Sequence, residues 1–325
     1  MSADPCDRAL SQWCERWFPE QEAALAPSPV AVAFSGGADS TAVLMAAVRR
    51  WPGRLLALHV HHGLQAAADG FEAHVRAVCE ALAVPLKVAH VNAAHAPGES
   101  PEDAARQTRY ATLADMAQAS GVAMVLLGQH ADDQAETLFM ALGRGAGLPG
   151  LAAMAPRFTR HTVAFGRPLL NLSSQAIRES LALAHQGYVE DPTNTDRRFT
   201  RNRVRAQLMP AWEATFPGFR ETVARSARHA AQAQSLLEAL AAIDLHSVGS
   251  PPRIKGLQAL GRERQVNALR FWLKQDHSVA PSEAQMGELV RQIQACRTRG
   301  HRIELKVANG QVRRVGECLG FTPQI

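Results

Sequence analysis

Two stretches carry residues whose types and spacing can do chemistry. Ser35-Gly36-Gly37-Ala38-Asp39-Ser40 follows the apolar run VAVAF (30–34) and precedes TAVLMAAVRR, which has helical spacing. Glycines there let backbone N–H groups approach an oxyanion. Ser35 and Ser40 add hydroxyl donors, and the start of a helix adds partial positive charge. Such a loop suits phosphate. An ordinary glycine-rich turn is the bland alternative, but two serines and an aspartate in a strand–turn–helix setting favour phosphate. A Walker A loop is excluded, because it needs a lysine just before its Ser/Thr and the first lysine of this chain is Lys87. Asp39 instead offers a carboxylate suited to Mg²⁺ on a pyrophosphate.

The second stretch is Gln129-His130-Ala131-Asp132-Asp133-Gln134-Ala135-Glu136-Thr137. On a helix, Asp132 and Glu136 are four apart and Asp133 and Glu136 three apart, so they share a face. Acids in a first helical turn also stabilise helices in general. That does not account for the adjoining histidine or for three carboxylates following a strand. The set can hold a metal or an incoming cation.

The elements that must position these residues alternate. Apolar runs at 30–34, 55–62, 85–91 and 122–128 read as strands, and 163–170 adds an edge strand. Amphipathic stretches after 38, at 70–83, from Ser100-Pro101-Glu102-Asp103 onward, after 131 and from Ser173-Ser174 to about 187 read as helices. This is an α/β pattern: a parallel twisted sheet with helices on both faces. Ligands of such sheets bind beyond the carboxyl ends of the strands, where both chemical stretches fall. Beyond Pro217-Gly218 the chain reads as helices at 219–246, 261–275 and 282–298, closing in a hairpin about Asn309-Gly310. The expected division is a catalytic domain over 1–217 and a smaller, mainly helical one over 218–325.

The 325 residues are 46% hydrophobic and 20% charged, which is globular composition. No apolar run approaches the ~18 residues of a membrane helix, and the N-terminus lacks a basic-then-apolar signal pattern. Five scattered cysteines without a C-x-x-C pair fit the reduced cytoplasm. Charge is lopsided: residues 1–150 carry a net −6 and residues 151–325 a net +11, within a total of +5. The second part therefore suits a polyanionic partner. Residues 197–228, with eight arginines, read as an RNA-backbone contact rather than only a solvated helical face. Trp212, Phe216, Phe219 and Trp272 read as core, as does Cys79.

The phosphate loop has the S-G-G-x-D-S pattern of PP-loop ATP pyrophosphatases, which cleave ATP between the α- and β-phosphates. Over residues 30–210 the chain further resembles the tRNA(Ile)-lysidine synthase family. The matching stretches are FSGGADS (34–40), HVHHGL (59–64), ESPEDAARQTRYATL (99–113), GQHADDQAETLFMALGRGAGLPGL (128–151), RPLLNLS (167–173) and VEDPTNTDRRFTRNRVR (189–205). The resemblance implies that ATP adenylates C2 of the wobble cytidine in an isoleucine tRNA with a CAU anticodon. Free lysine then displaces AMP to leave lysidine. It implies ATP and Mg²⁺ as cofactors, with Ser35, Gly36, Gly37, Ala38, Asp39, Ser40, His59, Gly128 and His130 around the nucleotide and Asp39 on the metal. Asp132, Asp133 and Glu136 would orient the lysine or take its proton, and Arg109 would steady phosphate charge. Arg201, Asn202 and Arg205 would hold tRNA phosphate or the reacting nucleotide. A homodimer is left open. Gln129 stands where a second histidine is frequent, and longer members carry a further tRNA-binding domain.

Rival readings are weaker. His59 and His61 face one side of a strand and His62 the other, which is not a standard zinc spacing. A tRNA thiolase of the same superfamily normally uses paired cysteines or an iron–sulfur cluster, and no such pair is present. A non-catalytic tRNA-binding protein would not need the carboxylate set.

Overall fold

Val30–Ala33 (β1), Leu55–His61 (β2), Leu86–His90 (β3), Met124–Leu126 (β4), Arg157–Arg160 (β5) and Val163–Gly166 (β6) form one sheet in the order β3-β2-β1-β4-β6-β5. All neighbours are parallel except β5 and β6. The structure is a computed structural model and describes residues 4–18, 29–61, 68–91, 101–191, 196–298 and 300–323. His62, the Ser100 helix start and residues 192–195 of the VEDPTNT stretch lie outside the described residues. By packing, the chain divides into Met1–Arg228 and His229–Ile325. The division falls inside the helix Phe219–Val248, which begins at the Pro217-Gly218 turn where the sequence places the boundary.

The strand order reverses direction between β1 and β4. At such a switch point the two following loops diverge and leave a crevice. The loops leaving β1 and β4 are the ones that carry Ser35–Ser40 and Gly128–His130. Both faces of the sheet are covered at its centre, so β1 and β4 are apolar throughout; Val30, Ala31, Val32, Met124, Val125 and Leu126 are all buried. One face packs on helices Pro5–Trp17, Ala38–Arg50 and Ser174–Leu183 through Leu10, Trp13, Leu44, Ala47 and Ile177. The other packs on Pro101–Gln118 through Tyr110, Leu113, Ala114 and Ala117.

Several expectations are corrected. The 163–170 segment supplies β6, an internal strand over Val163–Gly166; the edge is β5, joined to β6 by a hairpin whose His161 and Thr162 both have positive φ. The run RFTR has no apolar alternation to announce it. The helix from Ser174 stops at Leu183, and His185 turns the chain at positive φ. The N-terminal helix Pro5–Trp17 is held by Asp4, whose carboxylate accepts from Cys6 N at 2.7 Å and from Ser180 Oγ at 2.7 Å. Phe219 and Trp272 are buried and Trp212 is half-buried against Phe139, but Phe216 is 56% exposed at a helix end. Cys79 is buried as expected, and all five cysteines are free.

The second unit contains the remainder of the long helix and helices Ile254–Ala259, Arg262–His277 and Glu283–Ala295. An antiparallel sheet follows, of Glu304–Val307 (β7), Gly310–Val315 (β8) and Cys318–Pro323 (β9). Its own core is built on Leu257, Leu269, Trp272, Leu289, Ile293, Val307, Val312 and Leu319. The expected hairpin is present one residue earlier than read: Val307 pairs with Gly310, so Ala308-Asn309 is the turn. Gly310 is needed for space, because a Cβ there would meet the Phe321 ring of β9, a strand the sequence reading did not include. Among the described residues no helix is long and apolar enough to cross a membrane.

Gly166 at the end of β6 lies under Trp13, and a Cβ would meet the indole at 2.5 and 2.6 Å. The indole N–H donates to Pro156 O at 2.9 Å, so the ring cannot retreat freely. Gly166→Ala is expected to lower stability by about 1–3 kcal/mol through overpacking. Urea unfolding checks this, with an unchanged midpoint as the contrary result.

Candidate active site

The phosphate loop is a closed hydrogen-bonded ring. Gly37 N donates to Ser35 Oγ at 3.4 Å, the Ser35 and Ser40 hydroxyls lie 3.1 Å apart, and Ser40 Oγ donates to Gly37 O at 3.0 Å. Since Ser40 spends its proton on Gly37, Ser35 must donate to Ser40. The hydroxyls read from sequence as phosphate donors are thus also the internal ties of the loop. Gly36 has φ +86°, a conformation that favours glycine, and a Cβ there would press on Val75, Val189 and His74 at 3.1–3.3 Å. Gly37 caps the helix Ala38–Arg50, whose first N–H groups have no intrahelical acceptor and point out of its N-terminus.

Gly128, just past β4, touches this loop directly. A Cβ on it would lie 2.8 Å from Asp39 C and 2.9 Å from Ser40 N. Any side chain would push the Asp39–Ser40 peptide away, so glycine lets the two loops meet. Two residues on, His130 N-caps the helix Ala131–Gly143, and its backbone N–H donates to Asp133 Oδ2 at 3.1 Å. Its buried imidazole lies 3.5 Å from Asp39 and 3.6 Å from each of Asp132 and Asp133. Burial opposes its charge, but the bond to Asp39 and the fields of Asp133, Asp39 and Asp132 prevail and raise its pKa to about 9. An imidazolium therefore joins the two loops at neutral pH.

The other carboxylates have arginine partners. Glu136 is 0% exposed and accepts from Arg205 Nε at 2.7 Å and Nη2 at 3.2 Å, with Arg201 Nε 3.5 Å away. Burial raises the pKa of Glu136 against the pull of Arg205. Burial likewise opposes charge on Arg205, yet the bond to Glu136 raises its pKa. The bidentate geometry requires both charges, so we take the pair as ionic. Asp132 accepts from Arg220 Nε at 2.6 Å and from Ser174 N at 2.8 Å. Burial works against its charge, but these bonds hold its pKa below the usual value. Arg205 lies in a π-helical turn, Val204–Leu208, a distortion frequent at functional sites. Two buried atoms, Asp39 Oδ1 and His130 Nδ1, have no hydrogen-bond partner. Such atoms cost about 1–3 kcal/mol each, and a ligand or ion can satisfy them.

Comparison with known proteins follows the same lines. Residues 10–212 match the PP-loop domain family, and residues 253–319 match the TilS substrate binding domain. The tRNA(Ile)-lysidine synthase of Polaromonas naphthalenivorans is 57% identical over 294 residues, covering 90% of this chain and 89% of that protein. The chain belongs to the tRNA(Ile)-lysidine synthase family. It is thus an enzyme, a ligase with an ATP-binding PP-loop domain. The tRNA(Ile)-lysidine synthase of Burkholderia pseudomallei is 43% identical, with 88% of this chain matching 60% of that longer protein. Among solved structures, the U34-tRNA thiolase NcsA from Methanococcus maripaludis, with its [4Fe-4S] cluster, is similar at TM-score 0.58 and 18% identity. The match covers 69% of this chain and 76% of that one, and it is a likeness of fold.

The structure brings most of the sequence-derived candidates of this lysidine synthase family member together. Ser35, Gly36, Gly37, Ala38, Asp39, Ser40, Gly128, His130, Asp132, Asp133, Glu136, Arg201 and Arg205 meet at the switch point through the contacts above. Arg109 is exposed, with its guanidinium carbon 5.9 Å from the Tyr110 ring centroid. Desolvation by the surrounding protein lowers its pKa, with Arg106 and Arg201 acting in the same direction and Tyr110 and Asp133 opposing. His59 is buried, with Nδ1 2.8 Å from Phe34 O, and burial lowers its pKa. It braces the strand end leading into the phosphate loop. Asn202 donates through its side-chain amide to Asp196 O at 2.8 Å. Gln129 Oε1 accepts from Arg167 Nε at 3.0 Å, which gives this departure from the family pattern a defined partner. Arg220 is the residue that sequence reasoning missed. It lies in the first turn of a helix, where the dipole disfavours cations, and that placement signals an acidic partner.

The raised pKa of His130 has a pH signature. A group with a raised folded pKa contributes stability that is complete below its unfolded value, ~6.5, and lost as pH rises through the folded value of about 9. The stability advantage of wild type over His130→Gln is expected to shrink by on the order of 3 kcal/mol between pH 6.5 and 9.5. Urea unfolding at a series of pH values checks this; a pH-independent difference would be the contrary result.

Proposed function

We propose that this enzyme converts the wobble cytidine of a CAU-anticodon isoleucine tRNA to lysidine in two steps. In the first, the C2 oxygen attacks the α-phosphorus of ATP, the bond to the β-phosphate oxygen breaks, and pyrophosphate leaves. In the second, the ε-amine of free lysine attacks C2, the C2–O bond breaks, and AMP leaves with the oxygen. The amine loses its proton to a carboxylate. The observation that carries this reading is a phosphate loop without a lysine, joined through His130 to a carboxylate set, in a chain 57% identical to a tRNA(Ile)-lysidine synthase.

The roles follow from the partners. The Gly36–Gly37 backbone and the helix start bind the phosphates. Asp39, with its unpartnered Oδ1, fits Mg²⁺, and that ion when bound neutralises pyrophosphate charge. Arg205 and Arg201 fix Glu136, Arg220 fixes Asp132, and His130 holds Asp39 beside Asp133. Of the three carboxylates on the helix Ala131–Gly143, Asp132 and Glu136 accept hydrogen bonds from guanidinium groups, whereas the Arg205 guanidinium stays 3.9 Å from Asp133. Asp133 is accordingly our choice for receiving the lysine ammonium and its proton. Residues 218–325 supply tRNA affinity through their positive charge. Free thiols and a tRNA substrate fit a cytoplasmic enzyme.

Free lysine arrives protonated, with a pKa of ~10.4, so removal of Asp133 charge acts on lysine rather than on ATP. Asp133→Asn is expected to raise the lysine concentration needed for half-maximal lysidine formation by at least ~10-fold, the size of a lost charge-assisted contact. AMP and pyrophosphate should remain the nucleotide products. Mass spectrometry of tRNA nucleosides and chromatography of nucleotides measure both. Wild-type lysine dependence would move the lysine site elsewhere, and ADP with phosphate as main products would overturn the PP-loop chemistry.

A further inference from the structure

We propose that His61, Glu72 and His90 form a binding site for a divalent transition-metal ion of the zinc class, apart from the residues that bind ATP and lysine. The three come from different elements. His61 ends β2, His90 ends β3, and Glu72 lies on the helix Ala68–Ala81. His61 and His90 are direct partners across the parallel strands, so their imidazoles stand side by side with ring centroids 4.8 Å apart. Glu72 Oε2 is 2.9 Å from His90 Nε2. One ligand atom from each residue lies within 4.8 Å of the other two, and among the described residues no other trio of such side chains converges this closely.

The chemistry and the surroundings fit an ion. Two imidazoles and a carboxylate suit zinc with a fourth position for water. Tetrahedral bonds of ~2.0–2.2 Å place ligand atoms roughly 3.4 Å apart. Small rotations would close the trio to that spacing. The His90 side chain is 65% exposed, which leaves room to turn and an entry path. Arg76 holds the other carboxylate oxygen, with Nε at 2.9 Å and Nη2 at 2.6 Å from Glu72 Oε1. Outer partners of this kind orient ligating carboxylates while leaving one oxygen for the ion. A plain surface ion pair, worth about 0–1 kcal/mol, accounts for Glu72, Arg76 and His90. The register of β2 with β3 then sets buried His61 beside His90 and completes a trio of ligand atoms that the ion pair alone does not need.

The position suggests what the ion does. His74 and Val75, one turn or less from Glu72, back the phosphate loop at Gly36. An ion tying Glu72 to the ends of β2 and β3 braces that helix and, through it, the loop.

The test uses the full-length chain in excess Mg²⁺, which fills oxygen-ligand sites, with Co²⁺ and Zn²⁺ as probes. Wild type, His90→Gln and Glu72→Gln are compared by Co²⁺ absorption, calorimetry and thermal unfolding. The expected result is one Co²⁺ per chain without a thiolate charge-transfer band and displaceable by Zn²⁺. Affinity should be at least ~10-fold weaker in each variant, and Zn²⁺ should raise Tm in wild type alone. His90→Gln is decisive because its side chain lies outside the core, and an unchanged metal-free Tm verifies its fold. No stoichiometric binding by wild type, a thiolate band, or equal affinity in His90→Gln would overturn the proposal.

Discussion

Four carboxylates brought to one end of a sheet repel one another and lose solvation, and they persist there only if cations of fixed geometry accompany them. Asp39, Asp132, Asp133 and Glu136 are in this position. The chain answers with an imidazolium at the junction and guanidinium groups from a distant segment: Arg205 reaches Glu136 across 69 residues of sequence and Arg220 reaches Asp132 across 88. This requirement fixes where the 196–228 segment must lie. Part of the arginine-rich run that sequence alone assigns to RNA is therefore committed to the acidic cluster, while Arg205 keeps a partly exposed side chain that a substrate can also meet.

The rest of the first unit serves to make this meeting possible. The reversal of strand order between β1 and β4 opens the crevice, and Gly128 lets the two loops touch at the Asp39–Ser40 peptide. The serine ring holds the phosphate loop in shape. His59 ties β2 to the carbonyl of Phe34 immediately before the loop, and Val75 and His74 back Gly36. Rigid elements thus fix the loop backbone before any phosphate arrives, which is what electrostatic catalysis requires.

Much of this was legible in sequence, because the loop, the acidic run and the alternation of strands and helices are local patterns. The parallel sheet followed from apolar runs with no polar alternation, and a C-terminal hairpin from the Asn309-Gly310 signal, although the turn itself is Ala308-Asn309. What was not legible depends on distant partners. Nothing local to Asp132 names Arg220, and nothing in SGGADS says that Ser35 and Ser40 bond to each other. The β5 strand lacks a hydrophobic signal because it lies at an edge, and Phe216 is aromatic yet exposed because its helix ends there. The Glu72–His90–His61 convergence depends on the register of β2 with β3, which no spacing reveals.

Charge compensation holds the acidic cluster together, and the Glu136–Arg205 pair is where it can be measured. A double-mutant cycle with Glu136→Gln, Arg205→Gln and both together, read by urea unfolding at neutral pH, isolates the pair. Arg205→Gln alone is expected to cost about 2–4 kcal/mol because it strands a buried carboxylate, less than for a fully buried pair because Arg205 is partly exposed. The double variant should recover much of that loss. Strictly additive costs, with a coupling below about 0.5 kcal/mol, would contradict it.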